Sequence, residues 1–186
     1  MLCASEIEPV SPGIFLWRFY DPSVKADLFS TAVAIASSTH LIDPIPLALE
    51  AMAALRGVAG VITTNENHAR ASSDFAARFR VPIYSALSDP FAPGLTPIRI
   101  DGAPAGEIAI YSDMDGGAVF IGDALINFEP YGFTFLPAKY ALNFKLMRKS
   151  LAKLLDYSFE RMLFAHGMPI LSQARERLEL LLKEHR

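Results

Sequence analysis

Four histidines and one cysteine, His40, His68, His166, His185 and Cys3, are the whole supply of soft or borderline metal ligands and thiol nucleophiles in this chain of 186 residues. Two of the histidines stand in informative settings. His68 lies in Thr64-Asn65-Glu66-Asn67-His68-Ala69-Arg70, a polar cluster that follows the apolar run Val58–Thr63, and His166 precedes Gly167 directly after the apolar run Met162–Ala165. Asp123 occupies a third place of the same kind, in Gly122-Asp123-Ala124 after Gly117–Ile121. With only four histidines, any mechanism needing a histidine-rich dinuclear metal site starts short of ligands. Each residue also has a plainer role. Asp123 can cap the backbone after a strand, His166 can be a satisfied half-buried ring, and Asn65 and Asn67 can serve turn backbone groups. Glu66 with Arg70 reads as a surface pair at a helix start, His40 and His185 as structural or solvated, and Cys3 as a poor nucleophile without a basic partner.

The elements that would position these residues follow from hydrophobic periodicity. Apolar runs at Ile14–Phe19 and Leu28–Ala36 read as paired strands, and a helical pattern runs from Pro46 to Gly57. The buried strand Val58–Thr63 leads into the polar cluster, a helix with Ser72 or Ser73 as its cap and Phe75, Ala76 and Phe79 on one face, and the strand Val81–Tyr84. In the second half, Glu107–Tyr111 and Gly117–Ile121 flank Asp113-Met114-Asp115-Gly116, a hairpin signal. From Pro137 a helical stripe of Tyr140, Phe144, Met147, Leu151, Leu154 and Leu155 begins. The strand Met162–Ala165 and a closing helix with Leu171, Ala174, Leu178, Leu181 and Leu182 on its apolar face complete the chain. Strands alternating with helices predict an α/β fold, a sheet covered by helices, in a single domain spanning residues 1–186. The aromatic stretch Phe128, Tyr131, Phe133 and Phe135 reads as a loop that covers a pocket, packs on a second subunit to make a homodimer, or folds onto its own core.

Composition narrows the function classes. The chain is 52% hydrophobic and 20% charged, with a formal net charge of −3, which describes a core-rich globular domain and excludes disorder. Lysines and arginines are interleaved with acids, so the expectation is no nucleic-acid partner. No run of apolar residues is long enough to span a bilayer, and the expectation is no membrane role. One cysteine and the absence of a basic-then-apolar start predict a cytoplasmic protein. Phosphate-binding glycine loops, Cys-x-x-Cys and the Gly-x-Ser-x-Gly elbow are all missing, which leaves nucleotide and serine-hydrolase chemistry without a motif.

The strand Val58–Thr63, its polar cluster, the following helix and Val81-Pro82-Ile83-Tyr84 together resemble the metallo-β-lactamase superfamily. Leu41-Ile42-Asp43 before proline is similar to that family's early Leu-Ile-Asp strand end, Gly122-Asp123-Ala124 to its aspartate turn, and His166-Gly167 to its last histidine. The resemblance runs from about Gly13 to the closing helix. It implies a four-layer αβ/βα sandwich, two mixed sheets with helices on the outer faces, and a site at the strand ends.

The main motif departs from the family's Thr-His-x-His-x-Asp-His. Asn65 and Asn67 stand at its first two histidines, Ala69 at its aspartate and Arg70 at its last histidine. The later Gly-His-x-Pro-Gly histidine has no counterpart in residues 101–106. Asp123 and His166 are the usual ligand positions that remain. The resemblance therefore implies a hydrolase fold whose dinuclear zinc centre is degenerate and not assembled. On that reading Arg70 takes the metal's place through a bidentate pair with Asp123, in a polar site completed by Asn65, Asn67 and His166. A second expectation is one divalent ion, zinc, manganese or iron, held by His68, Asp123 and His166, with metal-activated water attacking a small ester, thioester or lactone. His68 occupies a spacer position in the family motif, so its direction is open. A third is a pseudoenzyme binding a small anion at Arg70, with Asn65, Asn67 and Glu66 around it, or binding a protein partner.

Overall fold

The computed structural model describes residues 3–184, and His185 lies outside them. Strands β1 (Glu8–Ser11), β2 (Ile14–Asp21), β3 (Ala26–Ile35) and β4 (Ser38–Ile42) form an antiparallel meander. Helix α1 (Leu49–Met52) leads to β5 (Val58–Ile62), and α2 (Ser72–Phe79) to β6 (Ile83–Tyr84); β5 and β6 join the same sheet in parallel, in the order β1-β2-β3-β4-β5-β6. The second sheet holds β7 (Thr96–Arg99), β8 (Ile108–Ser112), β9 (Ala118–Ile121) and, beyond the hairpin β10 (Leu125–Phe128) and β11 (Gly132–Phe135), β12 (Arg161–Phe164), in the order β12-β9-β8-β7. Between β11 and β12 lies α3 (Phe144–Leu151), and α4 (Ala174–Glu184) ends the described chain.

Strand alternation sorts the core into three apolar layers. Ile14, Leu16, Phe29, Val33, Ile42 and Ile62 of the first sheet meet Ile108, Ile110, Ala118, Phe120 and Leu163 of the second between the sheets. Trp17, Ala32, Leu41 and Val61 point the other way, against Leu55, Ala71 and Phe75. Ala109, Val119, Ile121, Met162 and Phe164 on the far face of the second sheet pack on Met147, Leu151, Leu154, Ala174, Leu178 and Leu181. Helix, sheet, sheet, helix is the four-layer sandwich that the resemblance implied.

Ala71, not Ser72 or Ser73, stands at the cap of α2, and Leu171 is exposed ahead of α4 rather than on its apolar face; three further local outcomes also differ from the sequence reading. The helix expected over Pro46–Gly57 is a single turn, because Ile45 and Leu47 are drawn into the core as extended chain and Trp17 Nε1 donates to the Ile45 carbonyl at 3.0 Å. The helix expected from Pro137 starts at Phe144, where the Asn143 side chain accepts from Leu146 N at 3.0 Å, a cap that satisfies one of the orphan donors of the first turn. The aromatic stretch is the hairpin β10–β11 rather than a plain loop: Phe133 and Phe135 pack on Phe164 and Phe144, while Tyr131 stays exposed at its tip.

Candidate metal centre

Three strand ends converge where the two sheets meet. β4 is followed directly by Asp43, held at φ +47°, a left-handed conformation that aspartate tolerates better than most residues. The turn folds its carboxylate back onto the chain leaving β5: Thr64 N donates to Oδ1 at 2.7 Å and Thr64 Oγ1 to Oδ2 at 2.5 Å. Beyond Thr64 the polar cluster forms a 3₁₀ turn, Glu66–His68, whose cap is Asn65; the Asn65 side-chain oxygen accepts from Asn67 N at 2.9 Å. Side chains three residues apart eclipse in such a turn. Asn65 and His68 therefore share its inner side and are buried, while Glu66 and Asn67 are exposed.

His68 is 4% exposed and spans two carboxylates: Nδ1 lies 2.9 Å from Asp43 Oδ2 and Nε2 lies 3.2 Å from Asp123 Oδ1. Asp123 Oδ1 also stands 3.3 Å from His166 Nε2. The sequence reading left the direction of His68 open; the structure turns it into the site. His68, Asp123 and His166 each offer a ligand atom, and these atoms lie within 4.8 Å of one another. Side-chain exposure rises from 4% at His68 through 14% at Asp123 to 19% at His166, so the site opens to solvent on the His166 side.

Glycines flank the convergence for steric reasons. A Cβ on Gly122 would stand 2.5 Å from Thr64 Oγ1 and 3.0 Å from both oxygens of Glu107. A Cβ on Gly167, at φ +115°, would collide with the Asn127 backbone. Neither position admits a side chain without moving the residue beside it, Asp123 or His166.

Glu107 is a member of the site that sequence reasoning passed over as the first residue of a strand. It is 2% exposed; Oε1 accepts from Ala124 N at 3.0 Å and Oε2 from Asn65 Nδ2 at 2.7 Å. Asn65 Nδ2 also donates to Asp123 Oδ2 at 3.0 Å. The available signal was a lone carboxylate opening an otherwise apolar run, beside the Gly106 turn. Asp43, in the sequence only a landmark of the strand end, likewise faces the site through His68.

Arg70 does not form the expected bidentate pair with Asp123. Its Nη1 donates to the carbonyls of Phe29 (2.6 Å) and Asp43 (3.1 Å), and its Nη2 to that of Ala165 at 3.4 Å. These carbonyls lie in β3, after β4 and after β12. The guanidinium thus ties the two sheets together behind the ligands, and donors engaged by backbone are unavailable to an incoming anion.

Electrostatics follow from burial and pairing. Burial by itself would raise Asp123, yet the hydrogen bonds from His166 and His68 hold it far below the usual carboxylate range. Burial would lower His68, but the Asp43 charge and hydrogen bonds to Asp123 and Asp43 raise it to about 9. Glu107 is pushed up to about 8 by burial and the neighbouring Asp123 charge. Asp43 is lowered despite its burial, by the charge and hydrogen bond of His68 and by Arg70. Two carboxylates facing a guanidinium and an imidazolium cancel formally, so the metal-free site is electrically balanced with His68 protonated.

The donor set also fits one divalent cation. Two imidazole nitrogens and a carboxylate oxygen are the count and type of a mononuclear catalytic zinc site. A carboxylate on the far nitrogen of His68, Asp43 here, is the usual outer partner of a metal-binding histidine, because it fixes the proton on Nδ1 and leaves Nε2 free to ligate. Asn65 turns an NH₂ group toward the carboxylates and Asn67 is exposed, so neither adds a donor to the group.

A groove of about 480 Å³ that reaches Gly167 runs between the β2–β3 turn and the β10–β11 tip, lined among others by Arg18, Phe29, Phe128, Tyr131 and Met168. The aromatic stretch therefore divides between a groove wall and the core. No helix among the described residues is long and apolar enough to cross a membrane.

No protein-family profile and no curated protein sequence matches the chain. Solved structures do. A metallo-β-lactamase from Pontibacter korlensis superimposes with a TM-score of 0.70 at 14% identity, over 96% of this chain and 98% of that one. The metallo-β-lactamase FIM-1 from Pseudomonas aeruginosa, solved in a mono-zinc form, gives 0.70 at 11% identity, over 99% and 96%. A metallo-β-lactamase family protein from Thermus thermophilus gives 0.58 at 17% identity, over 95% and 80%. Likeness at such identities speaks to architecture and not to activity: this chain has the metallo-β-lactamase fold.

Proposed function

We propose that the chain is a hydrolase built around one divalent metal ion, held by His68, Asp123 and His166, that acts on a small ester, thioester or lactone. The observation that carries this reading is the orientation of His68, whose Nδ1 meets Asp43 while its Nε2 faces the atoms of Asp123 and His166. When bound there, such an ion lowers the pKa of a water and polarises a carbonyl oxygen. The protein's own residues do the positioning. Asp43 fixes the His68 ring, Asp123 presents Oδ1 to both imidazoles, and Arg70 ties the Ala165 carbonyl, next to His166, to the carbonyl of Asp43. The groove that reaches Gly167 would offer an aromatic wall and the Arg18 guanidinium to the acyl or alcohol portion of a substrate.

Zinc, manganese and iron offered in turn to stripped protein, followed by metal analysis, test the proposal. The expected result is about one ion per chain, lost in Asp123→Asn and His166→Ala, with ester or lactone turnover in the loaded protein. Metal content at background would instead support the metal-free reading, a degenerate site that binds without turnover. That reading draws on the formal charge balance of Asp43, Asp123, Arg70 and protonated His68.

A further inference from the structure

Asn65 holds four hydrogen-bonding capacities in one amide, and three of its contacts define its orientation. Its oxygen accepts from Asn67 N at 2.9 Å, and its nitrogen donates to Glu107 Oε2 at 2.7 Å and Asp123 Oδ2 at 3.0 Å. A flipped amide would point its oxygen at two carboxyl groups and its NH₂ at a backbone N–H, losing all three bonds. Glu107 is fixed in turn from the opposite side, by Ala124 N on Oε1 at 3.0 Å, one residue beyond Asp123. Nothing among the described residues other than Asn65 donates to Asp123 Oδ2, while Oδ1 faces both histidines.

We propose that Glu107 is a positioning residue for this site, acting through Asn65: it sets the Asn65 amide so that its NH₂ occupies Asp123 Oδ2 and leaves only Oδ1 to face His68 and His166. The arrangement presents Asp123 to the two imidazoles through one oxygen, which suits a single ion held between them.

The carboxyl group is required because both of its oxygens keep an accepting lone pair whether or not it is protonated. Glutamine is nearly isosteric but presents one oxygen and one NH₂ to two donors, Ala124 N–H and Asn65 NH₂. Whichever way it turns, one donor meets another, and the Asn65 amide loses its anchor.

The test uses Glu107→Gln, Asn65→Ser and the double variant. Serine retains a side-chain oxygen able to cap Asn67 N, but it cannot reach both carboxyl groups. Two readouts apply: zinc affinity by competition with a chromophoric chelator, and hydrogen exchange of the Asn65 carboxamide protons by NMR. In the wild type those protons should exchange slowly, and in Glu107→Gln at least one should exchange rapidly. Each single variant should weaken zinc binding by about 10- to 100-fold, the range for outer partners of metal ligands. The double variant should bind no more weakly than the weaker single one, since both changes break one relay.

Losses that multiply, or a Glu107→Gln protein with wild-type affinity and a slowly exchanging Asn65 amide, would overturn the proposal. The affinity arm rests on the metal reading of the site, whereas the exchange arm does not. A wild type without zinc affinity would therefore sink that reading and leave the relay to be judged on Asn65 alone. If Glu107→Gln fails to fold, Asn65→Ser carries the test through the position of Asp123 in its crystal structure, which should differ from the wild type.

Discussion

Replacing Asp43 by asparagine should separate the two states of His68. The buried Asp43 carboxylate accepts from Thr64 N, Thr64 Oγ1 and His68 Nδ1 at 2.7, 2.5 and 2.9 Å. Asparagine retains an oxygen for Thr64 N but places NH₂ opposite the histidine, so Nδ1 must accept and the proton moves to Nε2, the atom that faces Asp123. His68 is raised from 6.5 to about 9, against its own burial, chiefly by Asp43 and Asp123. Because the folded value lies above the unfolded one, the stabilisation is fully present below pH 6.5 and is lost as pH rises through about 9. At about 1.4 kcal/mol per pKa unit, the whole shift corresponds to on the order of 3 kcal/mol, of which Asp43 supplies the larger share, about 2 kcal/mol. Urea unfolding of the stripped variant should show a loss of about 2 kcal/mol at pH 6 that shrinks above pH 9, with a zinc affinity about 10- to 100-fold weaker. A variant that folds normally and binds zinc within threefold of the wild type would refute the inference that Asp43 orients a ligating His68.

Other outcomes follow from single contacts. Arg70→Lys keeps the charge but cannot span the carbonyls of Phe29, Asp43 and Ala165; it should cost about 1–3 kcal/mol in urea unfolding, with Arg70→Ala costing more. Gly122→Ala drives a methyl against Thr64 Oγ1 and Glu107, and a loss of about 1–3 kcal/mol by thermal unfolding, with weakened zinc binding, is expected. His40 is 1% exposed, with neither ring nitrogen hydrogen-bonded among the described residues, and burial lowers its pKa below 6.5. A base with a depressed folded value loses stability as pH falls below 6.5, so His40→Met should gain in melting temperature relative to the wild type at pH 4.5 more than at pH 7.5.

How far the site was legible depended on whether a residue's direction is fixed by strand alternation or by a turn. Asp123 and His166 could be singled out because Gly122-Asp123-Ala124 and His166-Gly167, each after a short apolar strand, resemble the family's landmarks. The direction of His68 could not be read, since it is set by a 3₁₀ turn; three residues per turn put Asn65 and His68 on one side and send Glu66 and Asn67 outward. The resemblance that implied Asn67 as a site residue does not hold at that position, where the 3₁₀ turn leaves the side chain exposed. Arg70 was misassigned for a related reason: a cation near a carboxylate invites pairing, yet backbone carbonyls left open where two sheets meet took its donors first. Glu107 left almost no trace, because a charged first residue of a strand usually points to solvent, whereas here Gly122, Ala124 N and the Asn65 amide stand around its carboxyl group. The layer order was legible throughout, since it depends on apolar periodicity summed over many residues rather than on any one turn.

The residues that stand where the resemblance implies metal ligands have been given other partners, and that decides what the site can hold. Asn65 is committed to a backbone N–H and two carboxyl groups, Arg70 to three carbonyls, and Asn67 is exposed. Neither Asn65 nor Arg70 can turn toward an ion without leaving a buried group unpaired, at a cost of about 1–3 kcal/mol each. Restoring histidine at a single one of these positions should therefore fail to create a second metal site. At Asn65 or Arg70 the substitution would remove the relay or the clamp that holds the first one, and zinc stoichiometry in Asn65→His should stay at or below that of the wild type. A second tightly held ion in that variant would show that the amide is a passive filler.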